Sequence, residues 1–471
     1  MKNTLTPGRR QKLWLLIPLL AALLACALSA PADDSSTPTA PAALPSLAAT
    51  TPAEPTEPPP TATISPTATS LPVTATAPPT QTPLTSTYDK FSLWVDGPHL
   101  RGANIYQRRV YPELDGDSFG PGPVGPPFTE TDFTTLASLG ANVVHISHPG
   151  LFSENAPYEL DEAMQANLDQ LVDWIYAADM FAVIGFRTGP GRSEFTFFHG
   201  EEGSWFDESY FNEQVWVDAD AQAAWAEMWR HTAARYAGHP AVVGYELMIE
   251  PNSHAVWLDE WDPERFYADY SGSLYDWNPL AAQISTAVRE ADIETPILIG
   301  GMAYSSAAWL PYLEPTGDPR TVYVVHQYAP FAYTHQEPGS TAFTFPGQVD
   351  ENGDGQPEPF DISWLLALFD QINLFRIRTG APVAVSEYGI VRWAADGPAF
   401  LVQQQNLMEQ YGLNYAIWSW SSSWGLTQGY DGFIYRFGPD PENHQVLPDN
   451  ELTVALRVVW LQNEKRPSTM E

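Results

Sequence analysis

The chain has 471 residues, with 57 Asp+Glu against 22 Lys+Arg for a formal net charge of −35, and it carries 17 Trp, 44 Pro and one Cys. Phosphate backbones are bound by clustered Lys and Arg, so this balance excludes nucleic acid as a partner. A single cysteine permits neither an intramolecular disulfide nor a cysteine-based zinc cluster, and folding must rest on core burial.

Lys2, Arg9, Arg10 and Lys12 precede an apolar run over residues 13–25. This is a signal-peptide pattern, and the run is shorter than the ~20 residues of a spanning helix. Cys26 follows Leu23-Leu24-Ala25 as in a bacterial lipobox, so residues 1–26 are expected to be a lipoprotein-type signal peptide with Cys26 as lipidation site. A conventional cut near Ala30 is the alternative. Residues 27–87 are dominated by Pro, Thr, Ala and Ser. Such a segment buries too little apolar surface to offset its ordering entropy and is expected to be a disordered, proline-stiffened linker. An exported, cell-surface monomer follows, touching membrane only through its lipid anchor. Every Trp except Trp14 lies beyond Tyr88, and the folded unit is expected to span residues 88–471.

Within that unit, short apolar runs alternate with segments of helical period, the pattern of repeated βα units. Strands are predicted over residues 100–106, 142–147, 181–187, 242–250, 297–301, 322–328, 383–387 and 415–420. Helices are predicted over 160–178, 219–236, 279–291, 362–378, 399–411 and 452–461. Eight such units close into a (β/α)8 TIM barrel, an α/β fold whose chemistry sits at the C-terminal strand ends.

Those ends carry the informative residues. The fourth strand finishes in Glu246-Leu247-Met248-Ile249-Glu250-Pro251, the sixth in His326-Gln327-Tyr328, the seventh in Ser386-Glu387-Tyr388-Gly389 and the eighth in Trp418-Ser419-Trp420. Glu250 is the tip of its strand, since Pro251 stops it, and Glu246 is expected inside the barrel. A carboxylate directly after Val383-Ala384-Val385 breaks the apolar habit of a strand buried on both faces. Two glutamates facing each other across a barrel mouth suit glycosidic-bond cleavage, which needs one protonated acid and one carboxylate, about 5–5.5 Å apart in the retaining route. Glu250 and Glu387 are the candidate pair, and their mutual repulsion separates their pKa values.

In the order of these patterns, residues 100–424 resemble a family 5 glycoside hydrolase, of the (β/α)8 clan that includes cellulases and mannanases. The resemblance implies that Glu250, in a Glu-Pro pair after strand four, is the acid/base and that Glu387, before Tyr388-Gly389, is the nucleophile. It implies that His326 and Tyr328 orient the pair, with the tyrosine hydroxyl on the nucleophile, and that Trp418 floors the sugar subsite. Arg101-Gly102-Ala103-Asn104 matches the family's opening strand and adds Asn104. The implied activity is retaining hydrolysis of a β-linked poly- or oligosaccharide, endo-acting, with no cofactor in the chemistry. A non-catalytic sugar-binding lipoprotein fits the export signal equally well but has no use for two glutamates at buried strand tips.

The chain departs from the family at Ile249, where an asparagine normally contacts the sugar, and Asn252 is a weak substitute. His145 and Arg187 occupy positions where the family has arginine and histidine respectively. Arg187 is therefore expected to supply the positive charge that keeps Glu387 ionised, with His145 as a neutral hydrogen-bond partner. Sugar faces stack on aromatic rings. Trp205, Trp216, Trp257, Trp261, Trp277, Trp393 and Trp424 are candidate cleft residues, while Trp174, Trp225, Trp229, Trp364 and Trp460 fall at helical spacing and are expected to pack. Finally, Asp350, Asn352, Asp354, Gln356, Glu358 and Asp361 hold positions 1, 3, 5, 7, 9 and 12 of a calcium-loop spacing, so a structural Ca²⁺ is expected there, with an acidic turn without metal as the alternative.

Overall fold

The computed structural model describes residues 86–351, 355–428 and 432–470. The signal segment, Cys26 and all but the last two residues of the expected linker lie outside the described residues. Ser86 already donates its amide to the Gly238 carbonyl at 2.7 Å, so the folded unit begins slightly ahead of residue 88.

Strands β1 (Arg101–Tyr106), β2 (Val143–Pro149), β3 (Phe181–Thr188), β4 (Val242–Glu246), β5 (Ile297–Gly300), β6 (Thr321–Gln327), β7 (Val383–Tyr388) and β8 (Asn414–Ile417) form a closed parallel barrel in which β8 returns to β1. Around it run α1 (Glu130–Ser138), α2 (Glu162–Ala177), α3 (Ala219–Tyr236), α4 (Trp277–Ala291), α5 (Ile362–Thr379), α6 (Gly397–Tyr411) and α7 (Glu451–Trp460). This is a (β/α)8 barrel, as the alternation predicts. The unit between β5 and β6 departs from the repeat, with only short turns at Met302–Ser305 and Leu310–Tyr312 in place of a helix. Among the described residues no helix is long and apolar enough to cross a membrane.

Local chemistry sets the boundaries. Asp161, Asp276 and Asp361 cap α2, α4 and α5 by accepting from the first free amides of each helix. Along α4, Leu280, Ala281, Ile284 and Val288 recur at helical spacing and are buried against the barrel. Strand β4 ends at Glu246 rather than at residue 250. The Leu247 carbonyl is taken by the indoles of Trp225 and Trp229, at 3.0 and 2.7 Å, so the backbone leaves the ladder there.

The N-terminal end of the barrel is plugged by the short 3-10 helix Lys90–Leu93 and by Trp94, whose indole donates to the Val243 carbonyl at 2.9 Å. Leu93, Trp94, Leu100, Phe181, Val183 and Leu298 share one buried cluster there. With that end closed, access is confined to the C-terminal mouth.

Candidate active site

Glu387 lies at the end of β7, His326 near the end of β6 with Tyr328 just beyond it, and Trp418 directly after β8, at a cis peptide to Ser419. Glu250 sits four residues past β4 with a φ of 58°, a left-handed conformation uncommon outside glycine and characteristic of strained functional sites. Arg192 holds this turn: its guanidinium donates to the carbonyls of Glu250 at 2.7 Å, Ile249 at 2.8 Å and Arg187 at 2.9 Å.

These elements bring the expected pair together. One oxygen of Glu250, one of Glu387 and a ring nitrogen of His326 all lie within 4.8 Å of one another. His326 Nδ1 is 2.9 Å from Glu250 and 3.5 Å from Glu387, and the Tyr328 hydroxyl donates to Glu387 at 2.9 Å. The pair opens into a cleft of about 1100 Å³ whose lining includes Tyr106, Arg187, Tyr328 and Trp418.

The electrostatics follow from burial and from crowding of like charge. Burial raises the Glu387 carboxyl to about 7; His326 opposes this, Glu250 reinforces it, and Arg187 and His145 pull it back. Burial alone would favour a neutral His326, but Glu387, Glu246 and Glu250 overcome it and raise its pKa well above the ordinary histidine value. Burial and the neighbouring Glu387 keep Tyr328 a protonated donor. Glu250, His326 and Glu387 have the spacing of a cation site, and the two carboxylates that flank one imidazole also have the spacing for sharing a proton.

Arg187 lowers the Glu387 pKa as expected, but without touching it, and His145 takes a different place from the one expected. Arg187 pairs with Glu194 at 3.3 Å and lies over the Phe197 ring, 4.0 Å from its centre, and beside Trp418 at 5.7 Å. Its charge reaches Glu387, but the cation in contact with Glu387 is His326. The cause is the loop after β3, which folds Glu194 back onto Arg187 and has Tyr106 donate to the same carboxylate at 2.7 Å. His145 does not serve the catalytic pair directly. It stands inside the barrel between the Asn104 amide and Glu246, 2.9 Å from the latter.

Asn252 faces away from the sugar position, fully buried and donating to Thr196 Oγ1 at 2.8 Å. Ile249 is buried against Gly185, where any Cβ would come within 2.9 Å of its side chain. Of the candidate tryptophans, Trp261 lines the cleft, whereas Trp216 and Trp277 are core residues and Trp205 packs on Phe195, Phe198 and Phe206. Trp364 packs on Phe360 as expected and also lines the cleft, together with Trp309. Arg192 carries no motif, yet in a chain with 22 basic residues two arginines five positions apart at a strand end are a usable signal. Nothing in the sequence marks Ala303, Tyr304 and Ser305. All three are left-handed, and they bring the Tyr304 amide to the Pro251 carbonyl at 3.1 Å, bracing the Glu250 loop.

In the calcium-like segment, Asn352 and Asp354 lie outside the described residues. Asp361 accepts from the amides of Ser363 and Trp364, Glu358 accepts from the Trp364 indole at 3.1 Å, and Asp350 accepts from the Gly355 amide at 2.9 Å. A two-stranded hairpin, Gly347–Val349 with Glu358–Phe360, flanks the segment in place of a helix pair.

A closed barrel with two carboxylates facing each other across a cleft, a tyrosine donating to one of them and an indole beside them defines a glycosidase. The profile of the cellulase family, glycosyl hydrolase family 5, matches residues 114–423, and the chain belongs to that family. It is 24% identical over 241 residues to Endoglucanase C of Acetivibrio thermocellus, covering 50% of this chain and 58% of that protein. It is 28% identical over 177 residues to Endoglucanase 3 of Fibrobacter succinogenes, covering 37% of this chain and 22% of the relative. The matched stretch thus spans less than two thirds of each of these relatives. Among solved structures, endoglucanase Cel5A of Thermotoga maritima aligns over 78% of this chain and 100% of its own with a TM-score of 0.53 at 19% identity, a likeness of fold.

Proposed function

We propose that the chain is a retaining β-glycosidase that cleaves a neutral β-glucan at internal linkages. The observation that carries this reading is the approach of a Glu250 oxygen to within 4.8 Å of a Glu387 oxygen, close to the separation of retaining enzymes and too short to seat a water between sugar and base as inversion requires. Glu387 attacks the anomeric carbon while Glu250 protonates the departing oxygen, and Glu250 then takes a proton from the water that releases the sugar. Tyr328 donates to Glu387 and fixes the attacking oxygen, and Trp418 presents its face to the ring. Breaking the chain internally is supported by the cleft, which extends beyond the pair to Trp261, Trp309 and Trp364. Neutrality of the substrate is supported by the lining, where Asp350, Glu351 and Glu358 join the catalytic glutamates against the cations Arg187 and His326. The names of the relatives support glucan over other β-linked polymers.

Incubation with soluble β-glucans, mannans and aryl β-glycosides, with Glu387→Gln as control, tests this. A rapid fall in glucan viscosity and a β-anomer as the first product seen by proton NMR are expected; an α-anomer would exclude the retaining route. Export and anchoring at Cys26 belong to the same proposal, tested by whether Cys26→Ala releases the protein from the cell surface.

A further inference from the structure

Beneath the catalytic pair lies a third carboxylate that the chemistry above does not use. Glu246, at the end of β4, is fully buried, 2.9 Å from His145 Nε2 and 3.4 Å from His326 Nε2. The other nitrogen of His326 faces Glu250 and Glu387 at 2.9 and 3.5 Å. His145 meets Asn104 through Nδ1, and the Asn104 amide donates to the carbonyl of Ser386, the residue before Glu387, at 2.8 Å. One buried imidazole is therefore enclosed by three carboxylates from β4, the loop after it and β7. His145 on β2, Arg187 on β3, Arg192 and Tyr304 beside the Glu250 turn and Tyr328 beyond β6 are the other titratable or charged groups acting on this cluster.

We propose that Glu246 is a positioning residue for the hydrolysis: it holds the proton on His326 through both chemical steps, so that an imidazolium stands between Glu250 and Glu387 whatever charge those two carry. This inference rests on the retaining reading. In that cycle Glu387 loses its charge on bonding to the sugar, and Glu250 alternates between acid and carboxylate. Glu246 is the member of the three whose charge stays constant. Burial by itself favours the neutral imidazole, and a counter-charge that does not move keeps the cation in place while the single negative charge of the pair passes from Glu387 to Glu250 and back. Burial also works against the ionisation of Glu246, but His145 and His326 prevail and hold it at about 2. Arg187 is engaged by Glu194, which leaves His326 as the positive group in contact with the nucleophile.

Glu246→Gln keeps the shape of the side chain and removes its charge. The His326 ring is followed against pH by nitrogen NMR in wild type and variant, and kcat/KM on a soluble β-glucan is followed over the same range. In the wild type, His326 is expected to carry both ring protons at pH 7. In Glu246→Gln its pKa is expected to fall by about one unit or more, because an adjacent negative charge is gone. The alkaline limb of kcat/KM should move in the same direction, with Glu246→Asp falling between. A His326 titration unmoved by the substitution, an unmoved alkaline limb, or a neutral ring in the wild type at pH 7 would each overturn the proposal. If the variant does not fold, the protonation of the wild-type ring decides alone. An inverted first product would refute the retaining reading, and the NMR measurement, which needs no substrate, would still judge the network.

Discussion

At the floor of the barrel the buried cluster is apolar, Leu93, Trp94, Leu100, Phe181, Val183 and Leu298, the Trp94 indole is satisfied by a backbone carbonyl, and the one charge buried in the plug helix, Lys90, donates to the Thr295 hydroxyl. At the mouth, the buried or half-buried groups are Glu246, Glu250, His326 and Glu387, with Arg187 and Arg192 beside them, and Glu250 and residues 303–305 are in left-handed conformations. The floor is built for burial of apolar surface; the mouth concentrates charge and strain that burial makes costly and that other contacts must offset. Stability and chemistry therefore occupy opposite ends of the same strands, and substitutions should separate them.

The sharpest separation is expected at Glu387. Glu387→Gln should lower turnover by roughly 10⁴-fold while leaving the melting temperature level or higher, since a buried carboxylate is removed; comparable residual activity would dissolve the distinction. At the other end, Trp94→Ala should cost about 3–5 kcal/mol in denaturant unfolding with kcat per folded molecule unchanged. A kcat loss as large as that of a mouth variant would show that the floor reaches the chemistry. Arg192→Ala touches both ends of the contrast, because it frees the three carbonyls that fix the Glu250 turn. Turnover is expected to drop about 100-fold through misplacement of the acid, with secondary structure by circular dichroism retained.

Acid stability gives a finer probe. Glu246 is held at about 2 in the fold against 4.5 for a free glutamate, so the unfolded chain takes up this proton first on acidification. Its stabilising contribution is complete above about pH 4.5 and is lost as pH falls towards 2. Denaturant midpoints between pH 5 and 3 should fall more steeply for wild type than for Glu246→Gln, and parallel slopes would count against a charged Glu246. The smallest effect is expected at Trp364→Ala, a rise in KM of about 3–10-fold for long glucan chains with kcat on aryl glycosides unchanged, as for loss of one aromatic contact.

The barrel is legible in the sequence because its strands are buried on both faces and read as short apolar runs between amphipathic helices. The end of β4 is less so: residues 247–249 are as apolar as a strand, and only the packing of Trp225 and Trp229 shows that their indoles take the Leu247 carbonyl out of the ladder. Glu250, Glu387, His326, Tyr328 and Trp418 are readable because each lies at, or within a few residues of, the C-terminal end of a strand. The pairing of Arg187 is not, because it depends on a loop folding Glu194 back across the mouth, which no local pattern encodes. Tryptophans divide poorly on periodicity alone. Trp364 has helical spacing and yet borders the cleft, since the N-terminal half of α5 forms part of the cleft wall, while Trp216 and Trp277 fall between predicted strands and are enclosed by the core.

The plug at the floor also fixes where the chain enters. Ser86 and Tyr88 bond to the carbonyls of Gly238 and Pro240, which precede β4, and Asp89 pairs with Arg320, which precedes β6. The described chain thus starts on the side away from the cleft. A bead or label coupled at residue 86 is therefore held on the face of the barrel opposite the entrance.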